Sequence, residues 1–219
     1  MVAPIAFYFD FISPYAYLAW TAVHEIAARH GRSVEPIPIL FAKLLDHFGH
    51  KGPAEIPPKR VYIFKHVLRL AHSMNVLLKA PPAHPFNPLL ALRIATADLP
   101  ELDQRRIIDV LFDAVWAGGP GVTEPDVVAK LLDDAGLDGR KLVTLAGDPE
   151  IKARLRVFTE EAITRGVFGV PTIIADGELF WGLDALPHVG DFLAGKDPVP
   201  HKELERWKDI PAQAQRPGA

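Results

Sequence analysis

The chain has 219 residues, 49% hydrophobic and 23% charged, with a formal net charge of -3 and no cysteine. That length suits one large domain, or a small one carrying an insertion. The balance gives no global basic field for nucleic acid or an anionic membrane, and the lack of cysteine excludes disulfides, zinc–thiolate sites and a thiol nucleophile of the protein's own.

In chain order, the first apolar run carries no preceding positive charge and is interrupted by Asp10. It makes a poor signal peptide, and no stretch approaches the roughly 18–20 apolar residues of a spanning helix. A soluble, cytoplasmic protein with no membrane partner is expected. Residues 5–11 read as a buried aromatic strand. Ser13 is a good N-cap and Pro14 a good first helical residue for a helix that Gly31 ends. Val34 to Leu40, with Pro36 and Pro38, reads as a strand near a sheet edge.

The texture then turns helical. Helices are expected over 61–74, 89–97, 101–116, 124–135 and 138–145, separated by turn signals such as "KAPPAHPFNP" and "AGGPGVTEP". A long helix follows over 149–165. Asp176-Gly177 between two apolar runs then predicts a hairpin, and a last helix spans roughly Asp184 to Leu193. The Pro-rich tail ends in a mobile "PAQAQRPGA". This β-α-β, helices, α-β-β-α order predicts an α/β protein. Its thioredoxin-like fold, residues 1–42 and 150–195, is interrupted by an all-helical insertion at 43–149 and followed by a tail at 196–219.

Two short motifs stand at the ends of this topology. Ser13 opens a helix whose free N–H groups and dipole favour an anion. In "GVFGVPT", Pro171 precedes a returning strand, at the position where thioredoxin-like proteins carry a cis-proline, and Val170 would offer its backbone to an extended ligand. Taken singly, each also suits an ordinary helix start or loop end. His47 and His50 are spaced i, i+3 without a recognisable third ligand, and so read as loop histidines rather than a metal site. Trp116 and Trp181 read as core or pocket walls. No P-loop, Rossmann fingerprint or G-x-S-x-G elbow is present.

The segments "FYFDFISPYAYLA", "PPKRVYIFKHVLRLA", "HPFNPLLALR", "FDAVWAGG", "GVFGVPT" and "ELFWGLDAL" together span residues 5–190. In this order they resemble the DsbA-like and kappa-class glutathione transferase superfamily, and within it the 2-hydroxychromene-2-carboxylate isomerase group. The resemblance implies glutathione as cofactor, a small aromatic carboxylate as substrate, and a homodimer. It implies that Ser13 activates the glutathione thiolate for reversible addition to a conjugated substrate, as in aromatic catabolism. The cofactor site would comprise Ser13, Val170, Pro171, Asp184, Lys59, His50 and Leu183; substrate would meet Tyr15, Tyr62, Arg69 and Asn87. Arg60 and Arg93 are further candidates for a substrate carboxylate. The chain departs from the group's pattern at Leu183 and Ala185, at the segment Gly49-His50-Lys51, and at His66, where the group has an acid. A kappa-type transferase or peroxidase is one alternative, and a non-catalytic module for thiols or peptides another.

Overall fold

The computed structural model describes residues 3–211 and 213. Strand β1 (Ile5–Phe9) is buried along its whole length. Strand side chains alternate between faces: Ile5, Phe7 and Phe9 enter one apolar cluster, while Ala6 and Tyr8 enter a second with Ile39, Leu44, Ala162 and Ile174. Both faces of the sheet are therefore covered. Asp10 ends the strand, and helix α1 (Pro14–Arg29) begins after the N-cap Ser13. Strand β2 (Val34–Pro38) then pairs parallel to β1.

Helices α2 (Phe41–Phe48), α3 (Pro57–Ser73), α4 (Leu89–Ala95), α5 (Glu101–Trp116), α6 (Pro125–Asp134) and α7 (Gly139–Leu145) follow, then α8 (Pro149–Thr164). Strands β3 (Thr172–Ala175) and β4 (Glu178–Trp181) complete a sheet of order β2-β1-β3-β4, both joined antiparallel. The turn between them has Asp176 at φ 48° and Gly177 at φ 93°, the left-handed pair that a tight hairpin requires. A 3₁₀ turn (Leu183–Ala185) leads into α9 (Leu186–Leu193), and α10 (His201–Lys208) lies in the tail. This is a thioredoxin-like fold with helices inserted between β2 and α8. No described helix is long and apolar enough to cross a membrane.

Several elements differ from expectation. Helix α2 was not expected, although Phe41, Leu44, Leu45 and Phe48 recur at helical spacing and Gly49 closes it at φ 64°. Leu44 packs in the cluster on the second face of the sheet. Helix α3 starts at Pro57 rather than Val61, because proline at a first helical turn loses no hydrogen bond. β1 and β2 each end two residues earlier than expected, since Asp10 turns the chain and Pro38 closes the β2 ladder. Helix α10 was not expected in the Pro-rich tail, and its residues 202–208 are exposed. Of the expected mobile end, only residues 211 and 213 are described.

The strand-to-helix junction is held by side chains from remote parts of the chain. Asp10 is 1% exposed and accepts from Ile12 N at 3.0 Å and Phe41 N at 3.0 Å. Trp116 Nε1 donates to the Phe11 carbonyl at 2.9 Å. His84 Nε2 lies 3.1 Å from the Ile12 carbonyl, an oxygen that can only accept, so this nitrogen carries a proton. Unpaired, each of these buried backbone groups would cost about 1–3 kcal/mol. Beneath the junction, Phe9, Phe11, Trp20 and Phe112 pack edge-on or tilted, with ring centroids 4.8–6.1 Å apart.

Two stability predictions follow from this arrangement. Trp116→Phe keeps an aromatic ring but orphans the Phe11 carbonyl, and is expected to cost about 1–3 kcal/mol in urea denaturation. Burial raises the Asp10 pKa from 3.8 to about 7, against the lowering effect of its two backbone donors. The folded value exceeds the unfolded one, so this contribution to stability is fully present below the unfolded value and is lost as pH rises through 7. Between pH 5 and pH 8, wild type should lose roughly 2–3 kcal/mol relative to Asp10→Asn. Parallel pH profiles of the two proteins would contradict this.

Candidate active site

Ser13 caps α1 in extended conformation, φ -95° and ψ 114°. Its Oγ accepts from Ala16 N at 3.1 Å and donates to the Val170 carbonyl at 3.3 Å. The Val170–Pro171 peptide is cis, so the two motifs at the ends of the fold meet through the Ser13–Val170 contact. Pro14 has no N–H and that of Ala16 is taken by Ser13. Among the described residues, the Tyr15 N–H is left without a partner. The helix N-terminus thus offers a dipole, one backbone donor and a hydroxyl whose proton can be redirected.

This corner opens into a cleft of about 2130 Å³ between the sheet edge and the inserted helices. Nine of the eleven expected site residues line it: Ser13, Tyr15, His50, Lys59, Tyr62, Val170, Pro171, Leu183 and Asp184. Leu183 is only 8% exposed and belongs to the apolar core. Asp184 is exposed on the 183–185 turn, its carboxylate close above Gly182, and His50 and Lys59 are exposed at the rim. Arg69 and Asn87 are not brought to the cleft. Arg69 lies on an exposed part of α3, and Asn87 Oδ1 accepts from Leu89 N at 3.0 Å, which spends the side chain on the entry to α4. Arg93 is also outside the lining. Arg60 is within it, donating to the His84 carbonyl at 2.9 Å and lying over the Phe64 ring.

The structure also brings to the cleft residues that sequence reasoning did not place there, and puts Trp181, read as core or pocket wall, on its surface. Asp10 and His84 line the cleft from below the junction. His84 is wrapped by Phe64, Phe86 and Trp116. Burial lowers its pKa, opposed by its bond to Ile12. Phe168 and Trp181 pair at 5.1 Å and are 40% and 54% exposed, an apolar platform beside Val170. A side chain at Gly169 would run into the Trp181 indole, so this close approach needs glycine. Tyr15 Oη lies 2.9 Å from His66 Nδ1, and the Tyr62 ring stacks on His66 at 5.8 Å. The available signals were Asp10 as a lone charge in an apolar run, and His66 as a departure from the group's pattern.

Helix α1 also ties the two parts of the molecule together. Besides Tyr15, Tyr17 donates to the Leu77 carbonyl at 2.9 Å and Trp20 to Asp109 at 2.6 Å. All three tethers run from one helix to the insertion.

Comparison with known proteins agrees with this architecture. The chain is 29% identical over 197 residues to the 2-hydroxychromene-2-carboxylate isomerase of Sphingobium xenophagum, covering 88% of this chain and 99% of that protein. It is 29% identical over 216 residues to glutathione S-transferase kappa 2 of Caenorhabditis elegans, covering 91% and 95%. A solved 2-hydroxychromene-2-carboxylate isomerase superposes with a TM-score of 0.80 at 23% identity, over 95% of this chain and 99% of that one. A cis-proline facing a helix-capping serine across one cleft, and a family match over residues 4–194, identify the chain as belonging to the DSBA-like thioredoxin domain family.

Proposed function

We propose that this protein is a glutathione-dependent isomerase of small aromatic acids resembling 2-hydroxychromene-2-carboxylate. The observation that carries the reading is the Ser13 hydroxyl, seated at the N-terminus of α1 and bonded to the carbonyl before cis-Pro171, in a chain with no cysteine of its own. The relatives named for this isomerase and for kappa-class glutathione transferase support it. The residues present fit glutathione. Val170 has a backbone carbonyl whose current partner is a movable hydroxyl, and Asp184 offers a carboxylate to an ammonium. Lys59 and His50 stand at the rim for a carboxylate.

Bound there, glutathione supplies a thiol whose anion can add to a conjugated carbon and leave again after rotation about the resulting single bond. The chain's own part is electrostatic. When a ligand amide takes the Val170 carbonyl, the Ser13 O–H is freed to donate to the sulfur. The helix dipole and the Tyr15 N–H stabilise the same charge, lowering the thiol pKa below its free value of about 8.5. The Phe168–Trp181 platform suits a flat aromatic body, and Arg60 suits its carboxylate.

Calorimetric titration with glutathione should give binding to wild type and a weaker, more alkaline pH dependence for Ser13→Ala; no binding at millimolar ligand would refute the reading. Asp184 is exposed, and an exposed ion pair is worth roughly 0–1 kcal/mol, so Asp184→Ala should weaken glutathione by no more than about fivefold. With 2-hydroxychromene-2-carboxylate as substrate, total thiol should be unchanged after many turnovers. Stoichiometric loss of thiol would assign the protein to the transferase alternative.

A further inference from the structure

Adding a nucleophile to a conjugated carbonyl pushes an electron pair onto oxygen, and that oxygen needs a proton on the enzyme. Several polar groups of the cleft wall are already committed. The Ser13 hydroxyl is assigned to sulfur, and both Asp10 oxygens accept backbone N–H groups. His84 Nε2 donates to the Ile12 carbonyl, and burial lowers its pKa. Glu55 accepts from Gly52 N at 2.6 Å. Tyr15 and His66, 2.9 Å apart, form a hydrogen-bonded pair of titratable side chains on this wall.

The pair has the form of a two-way proton path. Neutral His66 can accept from the Tyr15 O–H at Nδ1; imidazolium His66 donates from Nδ1 to the Tyr15 oxygen. The bond therefore survives either protonation state while the phenolic proton is either held or released. Both residues are half-buried and border the cleft, with Tyr15 two positions after Ser13. Tyr62 stacks on His66 from the preceding turn of α3, and Asp184 lines the same cleft from the 183–185 turn. Burial, with smaller contributions from Tyr62 and Asp184, raises the Tyr15 pKa.

We infer that Tyr15 and His66 form a proton relay serving the carbonyl or hemiketal oxygen of the substrate, an inference that rests on the isomerase reading above. In the forward sense the Tyr15 O–H bond breaks as the substrate O–H bond forms, and the Nδ1–H of imidazolium His66 restores the phenol. On the return, the substrate O–H bond breaks, its proton goes back to Tyr15, and a proton returns from Tyr15 to Nδ1. No net proton is consumed, as an isomerisation requires. Tyr62 orders the imidazole by stacking and acts as a positioning residue.

The test uses full-length protein with glutathione and 2-hydroxychromene-2-carboxylate from pH 5 to pH 9. Tyr15→Phe should lower kcat about 100-fold while leaving glutathione affinity as in wild type. His66→Gln, which keeps a hydrogen-bond acceptor but cannot titrate, should fold normally and remove one ionisation from the pH profile of kcat. A tether between helices would move neither quantity. Without substrate, the ¹⁵N resonance of His66 Nδ1 should shift between wild type and Tyr15→Phe. Coincident resonances, or variants with wild-type kcat and profile, overturn the relay alone. Absence of glutathione-dependent turnover in wild type overturns the isomerase reading and the relay with it.

Discussion

The turn from Asp10 to Ser13 must leave the sheet and enter a helix within a few residues, and its backbone groups cannot use ladder partners. Everything else in the site depends on how those groups are satisfied. Asp10 takes the N–H of Ile12 and of Phe41; Trp116 and His84 take the carbonyls of Phe11 and Ile12; Ser13 bridges Ala16 and Val170. The donors and acceptors come from the start of α2, the end of α5, a loop before α4 and the loop before β3. A hydroxyl placed this way is held from several directions, so the geometry at Ser13 is a property of the whole fold.

The inserted helices thereby do more than roof the cleft. The inserted segment supplies two of the side chains that fix the junction, Trp116 from α5 and His84 from the loop before α4, and α1 reaches back to it through Tyr15, Tyr17 and Trp20. A single buried cluster runs from the sheet face through α1 into α4, α5 and α6. The cleft sits where that continuity stops, with backbone and carboxylate on one side and Lys59, Arg60 and Tyr62 on the other. A ligand that needs anion stabilisation at one end and a cation at the other suits such a division.

Much of this was legible in the sequence because local and global signals agree there. Ser13-Pro14 is a strong helix start, Asp176-Gly177 a strong hairpin turn, and Glu101 to Trp116 a periodic helix, and each stands where expected. The misreadings have more than one physical cause. Proline marks helix starts as well as loops, so the cluster before Val61 concealed the first turn of α3. Short α2 was overlooked between that cluster and the end of β2. Within the site, backbone and turn positions could be placed from motifs. Side chains were placed unevenly, because their direction depends on packing: Lys59 and Tyr62 line the cleft, Arg69 and Asn87 fall outside it, and His66, His84 and Phe168 line it without having been anticipated.

The account centres on one claim, that a helix N-terminus and the Ser13 hydroxyl lower the pKa of a thiol supplied by the ligand. Ultraviolet absorbance of the thiolate, followed across pH for glutathione bound to wild-type protein, measures it directly. An apparent pKa below the free value of about 8.5 is the predicted result. A value at or above that of free glutathione would contradict the account.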